Sequence, residues 1–169
     1  MSQIPTPLPK TFDFTLADES ETNALAEKFA FALTALRETI ADQGFNLRLT
    51  GNLGAGKTTF TRVLLRKLGV SCRIKSPTFE LVADYDVLQT MTFHHFDFYR
   101  FEAPEEFEQA GFRDLFGARQ ITACEWSDKA GSYLPQADME LILKIDGMRR
   151  PARLVAYTDA GLRLLEILR

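Results

Sequence analysis

Between the alternating stretch FNLRLT and a helical run that stops at Gly69 lies GNLGAGKTTFTR, residues 51 to 62. No other segment constrains the chain as strongly. Gly51, Gly56, Lys57 and Thr58 satisfy the spacing G-x-x-x-x-G-K-[ST]. Glycines in that pattern let successive backbone N–H groups curl around an anion, and the helix that follows offers its positive end to the same place. Phe45, Leu47 and Leu49 alternate as in a strand, while Phe60, Val63, Leu64 and Leu68 recur at helical spacing. Strand, loop and helix thus occur in the order that a phosphate-binding loop requires, which a flexible Gly-rich turn capping a helix would not. On this reading Gly51, Asn52, Leu53, Gly54, Ala55, Gly56, Lys57, Thr58 and Thr59 form the loop. Lys57 reaches the β- and γ-phosphates of a nucleotide, and Thr58 places its hydroxyl on Mg²⁺.

The remaining composition narrows the setting. A chain of 169 residues suits one domain, 1–169, with the proline-containing segment 1–10 (MSQIPTPLPK) as a flexible leader. Prolines stand there where a signal peptide would carry an apolar run, and no segment approaches 18 apolar residues. A cytoplasmic protein without membrane contact is expected. Cys72 and Cys124 lie far apart and have no metal-ligand spacing, so both read as reduced, buried thiols. A formal net charge of −3 argues against a broad nucleic-acid-binding surface; contact with RNA would be local or through a partner.

Along the chain, TFDFTL alternates like a strand, and Asp18 with Glu21 forms a capping-box-like helix start. Leu25, Phe29, Ala32, Leu33, Leu36 and Ile40 mark the buried face of that helix. After the loop and its helix, Pro77 in KSPTF interrupts regular structure before two strand candidates, ELVADYDV and MTFHHFDFY, arranged like a hairpin. APEEFEQAGFRDLF reads as short helical turns, QITACEW as a short apolar strand ending in a carboxylate, and MELILKID and ARLVAYTD as two further strands. A helix from Asp159 closes the chain. The mixture predicts a three-layer α/β fold of the P-loop NTPase-like kind, with a mainly parallel central sheet and an antiparallel portion. The loop after residue 51 would then sit at the carboxyl edge of the sheet, where such folds bind ligands.

A nucleotide loop needs an acidic residue to hold magnesium at the end of a neighbouring apolar strand. Glu125 and Asp97 both meet that description, and each also fits an ordinary strand end. Thr78 could sense a γ-phosphate from its Pro-stiffened loop, or be a turn threonine. Trp126 could stack on a ligand, although a buried aromatic is the default. His94 and His95 point to opposite faces of one strand, which disfavours a two-histidine metal site and suggests one core and one surface histidine.

GNLGAGKTTFTR, KSPTFELVADYD, HFDFYRF, PEEFEQAGFRDLF and CEWSDKAGSYLP, taken in that order over roughly residues 16 to 135, resemble the TsaE (formerly YjeE) family. This is the small ATPase subunit of bacterial tRNA threonylcarbamoyladenosine synthesis. The resemblance implies slow hydrolysis of ATP with Mg²⁺ and work beside TsaD and TsaB. Those partners transfer a threonylcarbamoyl group to the adenosine next to the anticodon in tRNAs reading codons that begin with A. Contact with tRNA would run through the complex. Carried over by motif, the magnesium ligands are Thr58 and Glu125, the catalytic group comprises Lys57, Asp97, Glu125 and the Thr78 of a Ser76-Pro77-Thr78 switch, and Trp126 follows the acidic residue. Adenine contacts are implied near Asp18 to Thr22. Arg149 and Arg150 of GMRRPAR stand where the family has a Gly-Arg pair, so Arg149 replaces the glycine. The readings left beside this one are a small-molecule kinase with Asp97 as base, for which no arginine-rich lid is evident, and a non-catalytic nucleotide-gated scaffold.

Overall fold

The computed structural model describes residues 7–169; the first six residues of the expected leader lie outside the described part. Among the described residues, seven strands form one sheet in the order β1-β7-β6-β2-β5-β4-β3. The strands are β1 (Lys10–Leu16), β2 (Phe45–Thr50), β3 (Val82–Val87), β4 (Met91–Asp97), β5 (Gln120–Glu125), β6 (Met139–Leu143) and β7 (Arg150–Ala156). The four central strands β6, β2, β5 and β4 run parallel, while β3 on one side and β7 and β1 on the other pair antiparallel. This is the mixed, mainly parallel sheet that the sequence predicts, with the β3–β4 hairpin in its expected place.

Helices α1 (Glu19–Ala35), α2 (Arg37–Gln43), α3 (Lys57–Lys67) and α5 (Asp159–Leu168) contribute to the larger core, together with Phe45, Leu47 and Leu49 of β2. On the other face, the single turn α4 (Glu106–Gln109) and three short 3₁₀ turns accompany a smaller, aromatic core built on Phe96, Phe98, Phe101 and Phe107. β2 shows how directly this follows from residue alternation: Phe45, Leu47 and Leu49 are buried, and Asn46 and Arg48 only partly so. In β4 the alternation disappears from Phe93 to Asp97, where a strand covered on both faces buries each side chain in turn, and only Thr92 is partly exposed. Both histidines are therefore buried, against the expectation of one core and one surface residue. His94 faces the aromatic layer side and is satisfied by Asp84 Oδ1 (2.7 Å) and Gln120 Oε1 (2.5 Å).

Asp18 caps α1 by accepting from the Glu21 N–H (3.2 Å), and Glu21 Oε2 accepts in return from the Ala17 N–H (2.6 Å). The predicted buried face runs from Leu25 to Ile40, yet the helix divides at Leu36. The Leu36 N–H is shared between the carbonyls of Ala32 (3.0 Å) and Leu33 (3.2 Å), a tightening that ends α1 before α2 begins. Cys124 is buried, and burial pushes its thiol up to about 12; Cys72, expected to be buried as well, is exposed in the segment after α3. Among the described residues no helix is long and apolar enough to cross a membrane.

α1 and α3 meet through the edge-to-face pair Phe29–Phe60, whose ring centroids are 5.0 Å apart, and both rings are fully buried. Truncating Phe60 removes this pair and leaves a cavity beneath the first turns of α3. Phe60→Ala should lower the unfolding free energy by about 3–5 kcal/mol, as measured by chemical denaturation.

Candidate functional site

The glycine-rich loop links the end of β2 to α3 and is shaped by two backbone constraints. A Cβ on Gly51 would lie 2.5 Å from the carbonyl oxygen of Leu143 at the end of β6, so only glycine permits the chain to leave the sheet there. Gly56 immediately precedes α3 at φ 107°, in the left-handed region that favours glycine. The N–H groups of Lys57, Thr58 and Thr59 precede the first helical bond into the loop, Phe60 N to Gly56 O at 2.9 Å. They leave the helix end as a set of donors suited to an anion.

Lys57, though charged, is only 6% exposed. Its ammonium donates to the carbonyl of Gly51 and to that of Asn52 (3.1 Å), and it lies 4.9 Å from the centre of the Trp126 ring. Burial pushes the Lys57 pKa below its usual range, against the opposing pull of the Glu125 and Asp97 carboxylates. Trp126 is not the fully buried aromatic that its chemistry suggests by default. It takes a left-handed backbone (φ 56°) directly after β5 and exposes part of its ring, 5.1 Å from that of Tyr99.

The parallel register of β4 and β5 places Asp97 opposite Glu125. Both are buried at the carboxyl ends of their strands, and both line a cleft of about 340 Å³ together with Lys57, Thr58, Thr59 and Trp126. Glu125 Oε1 accepts from Thr58 Oγ1 at 3.4 Å and from His95 Nε2 at 2.9 Å. Asp97 holds the segment after α3: Oδ2 accepts from Ser76 Oγ (2.8 Å) and Thr78 Oγ1 (3.1 Å), and Oδ1 from the Tyr99 N–H (3.0 Å). Leu53 and Gly54 complete the rim. Sequence reasoning did not find Tyr99 or the link from His95 to Glu125. The H-x-D spacing of His95 and Asp97 carried a usable signal, since residues two apart in a strand share a face.

A second depression of about 300 Å³ continues past the loop, bounded by Asp18, Glu19 and Thr22 on one side and by Gly147, Met148 and Arg150 on the other. Gly54, Gly56 and Thr59 line both spaces, so the Asp18–Thr22 segment adjoins the cleft. Arg150 donates to the loop carbonyls of Ala55 (3.2 Å) and Gly54 (3.5 Å) and to Gly147 O (2.9 Å), tying the β6–β7 turn to the loop. Arg149 is exposed and lines neither space. The glycine of that turn is Gly147, at φ 58°.

Thr58 and Glu125 offer a hydroxyl and a carboxylate within reach of one another, a hard oxygen set suited to Mg²⁺. Such sites take only one or two carboxylates from the protein and the remaining oxygens from phosphate and water. Among the described residues there is no cluster of three or more His, Cys, Asp or Glu able to enclose a metal ion without those.

The family model "Threonylcarbamoyl adenosine biosynthesis protein TsaE" matches residues 16–153. A Haemophilus influenzae protein named tRNA threonylcarbamoyladenosine biosynthesis protein TsaE is 37% identical over 150 residues, covering 89% of this chain and 92% of its own. The Bacillus subtilis protein of the same name is 33% identical over 132 residues, covering 78% and 80%. The crystal structure of Bacillus subtilis YdiB superposes with a TM-score of 0.74 at 26% identity, covering 96% of this chain and 97% of that one. The family-model match over residues 16–153 and relatives of this identity and coverage place this chain in the TsaE family of threonylcarbamoyl adenosine biosynthesis proteins.

Proposed function

We propose that this single-domain chain is the cytoplasmic ATP-binding and slowly ATP-hydrolysing subunit of tRNA threonylcarbamoyladenosine synthesis. It would act with TsaD and TsaB on the adenosine beside the anticodon and meet tRNA through that complex. One observation carries the reading: the anion-binding end of α3, Lys57, Thr58, Asp97 and Glu125 all converge on one cleft at the carboxyl edge of a parallel sheet.

In this reading the loop N–H groups from Gly51 to Thr59 cradle the phosphates, and the ammonium of Lys57 turns from its own loop carbonyls to the β- and γ-phosphates. Thr58 and Glu125 would hold the Mg²⁺ that accompanies the nucleotide, which would supply positive charge against the phosphates. Asp97, fixed by three donors, orients the attacking water. Arg150 supports the loop from outside while the Asp18–Thr22 side receives the base. Trp126 forms a wall of the cleft. Ser76 and Thr78 share one oxygen of Asp97, which supports a link between the hydrolytic site and the segment around Pro77.

The deciding experiment is reconstitution of tRNA modification by TsaD and TsaB with and without this chain, using ATP and a non-hydrolysable analogue, with phosphate release followed in parallel. Modification sustained over many turnovers only with hydrolysable ATP supports the proposal. Equal support from the analogue favours a nucleotide-gated scaffold. Phosphate appearing on a small-molecule acceptor rather than in solution favours a kinase.

Lys57 gives opposite expectations for binding and for stability. Lys57→Met should weaken ATP binding roughly tenfold to hundredfold in a calorimetric titration, through loss of about 1.5–3 kcal/mol of charge-assisted hydrogen bonding. The same change should raise the Tm of the nucleotide-free protein at pH 7. A base whose folded-state pKa is depressed binds its proton less tightly than in the unfolded chain, so the buried ammonium costs stability below that pKa. The advantage of Lys57→Met should shrink as pH rises toward the unperturbed value of 10.5, which a series of melts would show.

Asp97→Asn and Thr78→Ala lie outside the phosphate-cradling loop and should retain most of the ATP affinity. Asn keeps the volume of Asp97 and loses its charge, so hydrolysis should fall far more than binding. Thr78→Ala should reduce repeated tRNA modification more than single-round ATP binding. Normal multi-turnover modification by both variants would refute their assigned roles.

A further inference from the structure

We propose that His95 is the positioning residue of Glu125: its imidazole fixes the carboxylate through which the site takes a divalent cation together with nucleotide. The inference rests on the proposed role of Glu125 as the acidic group at that cation. In the parallel register His95 lies opposite Ala123 and Asp97 opposite Glu125, so all four side chains leave the sheet on one face. The small side chain of Ala123 leaves room for the ring to reach diagonally along the strands, bringing Nε2 to 2.9 Å from Glu125 Oε1. That same oxygen is 3.4 Å from the hydroxyl of Thr58.

The state of the ring separates a positioning role from simple packing. His95 is fully buried, and its Nδ1 has no hydrogen-bond partner among the described residues. An ionised carboxylate only accepts, so Nε2 donates to Glu125, and Nδ1 is left as a buried polar atom without a partner among the described residues. Leucine or methionine would fill the volume without such an atom, and an unpartnered buried polar atom destabilises a fold. The neighbouring His94 provides the contrast, because each of its nitrogens lies at hydrogen-bond distance from a polar partner, Asp84 or Gln120, and neither partner lines the cleft. His95 therefore keeps a polar ring whose one hydrogen bond goes to the cleft carboxylate. Groups that hydrogen-bond a ligating carboxylate from behind commonly set metal affinity.

The test is the ratio of ADP affinities measured by calorimetry with Mg²⁺ and with chelator, on the full chain, with a thermal melt for each variant. His95→Gln keeps an amide N–H at the position of Nε2, whereas His95→Asn has its amide one bond short. His95→Asn should lower the Mg²⁺ enhancement by about tenfold to hundredfold while leaving the chelated affinity unchanged. His95→Gln should restore most of the enhancement, and His94→Gln should lower the Tm without changing it. Full Mg²⁺ enhancement in His95→Asn, or equal loss in Asn and Gln, would overturn the proposal. Glu125→Gln distinguishes the two levels. If that variant keeps the wild-type enhancement, the assignment of Glu125 fails and this inference with it; if it loses the enhancement while His95→Asn does not, only the positioning role is rejected.

Discussion

The backbone at Gly51 passes so close to the Leu143 carbonyl that no side chain fits between them, and the geometry of the cleft depends on this approach. β2 is the strand flanked by β5 and β6, both parallel to it, and its chain must leave the sheet over the end of β6 to enter α3. A side chain at residue 51 would push the loop away from the sheet. The helix end would then no longer be aligned with the carboxylates of β4 and β5. The buried alternation of β2 seats this strand, the α1–α3 contact at Phe29 and Phe60 seats the helix, and the loop spans what lies between.

Charge sets the second constraint. Among the described residues, two buried carboxylates, Asp97 and Glu125, face a cleft that one buried ammonium, that of Lys57, also lines. A nucleotide brings further negative charge, and like charges in a site of reduced dielectric repel strongly. On the proposed reading, the donors of the helix end and the ammonium would offset part of that repulsion, and a divalent cation on Thr58 and Glu125 the remainder. The charged groups of the cleft also find partners within the chain. Lys57 rests on the carbonyls of its loop and the face of Trp126, and Asp97 is surrounded by donors.

Local pattern was enough to read most of the fold and the loop itself. Alternation marked β2, 3.6-residue periodicity marked α3, and the acidic strand ends pointed to Asp97 and Glu125. What was not legible depended on packing between distant segments. The histidine pair reads as one inside and one outside only if β4 has a wet face, and the aromatic layer built on Phe98 and Phe107 removes that face. The division at Leu36 leaves no mark in a continuous apolar stripe. Cys72 looks like any small apolar residue until the segment after α3 is placed at the surface. The position of Gly147 at the turn, rather than Arg149, depends on how Asp146 and Arg149 pair with each other across the β6–β7 connection.

The parts of the site also differ in how they are held. Glu125 and Asp97 come from paired central strands, and a sheet of this kind fixes such positions firmly. The segment around Ser76 and Thr78 belongs to no helix or strand and lies between α3 and β3. It is attached to the site through two hydroxyls that share Asp97 Oδ2, and its end is set by the backbone bonds from Leu81 N to Pro77 O and from Asp97 N to Leu81 O. Phe79, on the same segment, is exposed and lies beneath the Arg100 guanidinium, 4.0 Å from its ring centre. A ligand group or water that draws on Asp97 Oδ2 must compete with Ser76 and Thr78 for that oxygen. On the proposed reading, the carboxylate fixed by the sheet would exchange partners while the irregular segment that carries Ser76, Thr78 and Phe79 gave way.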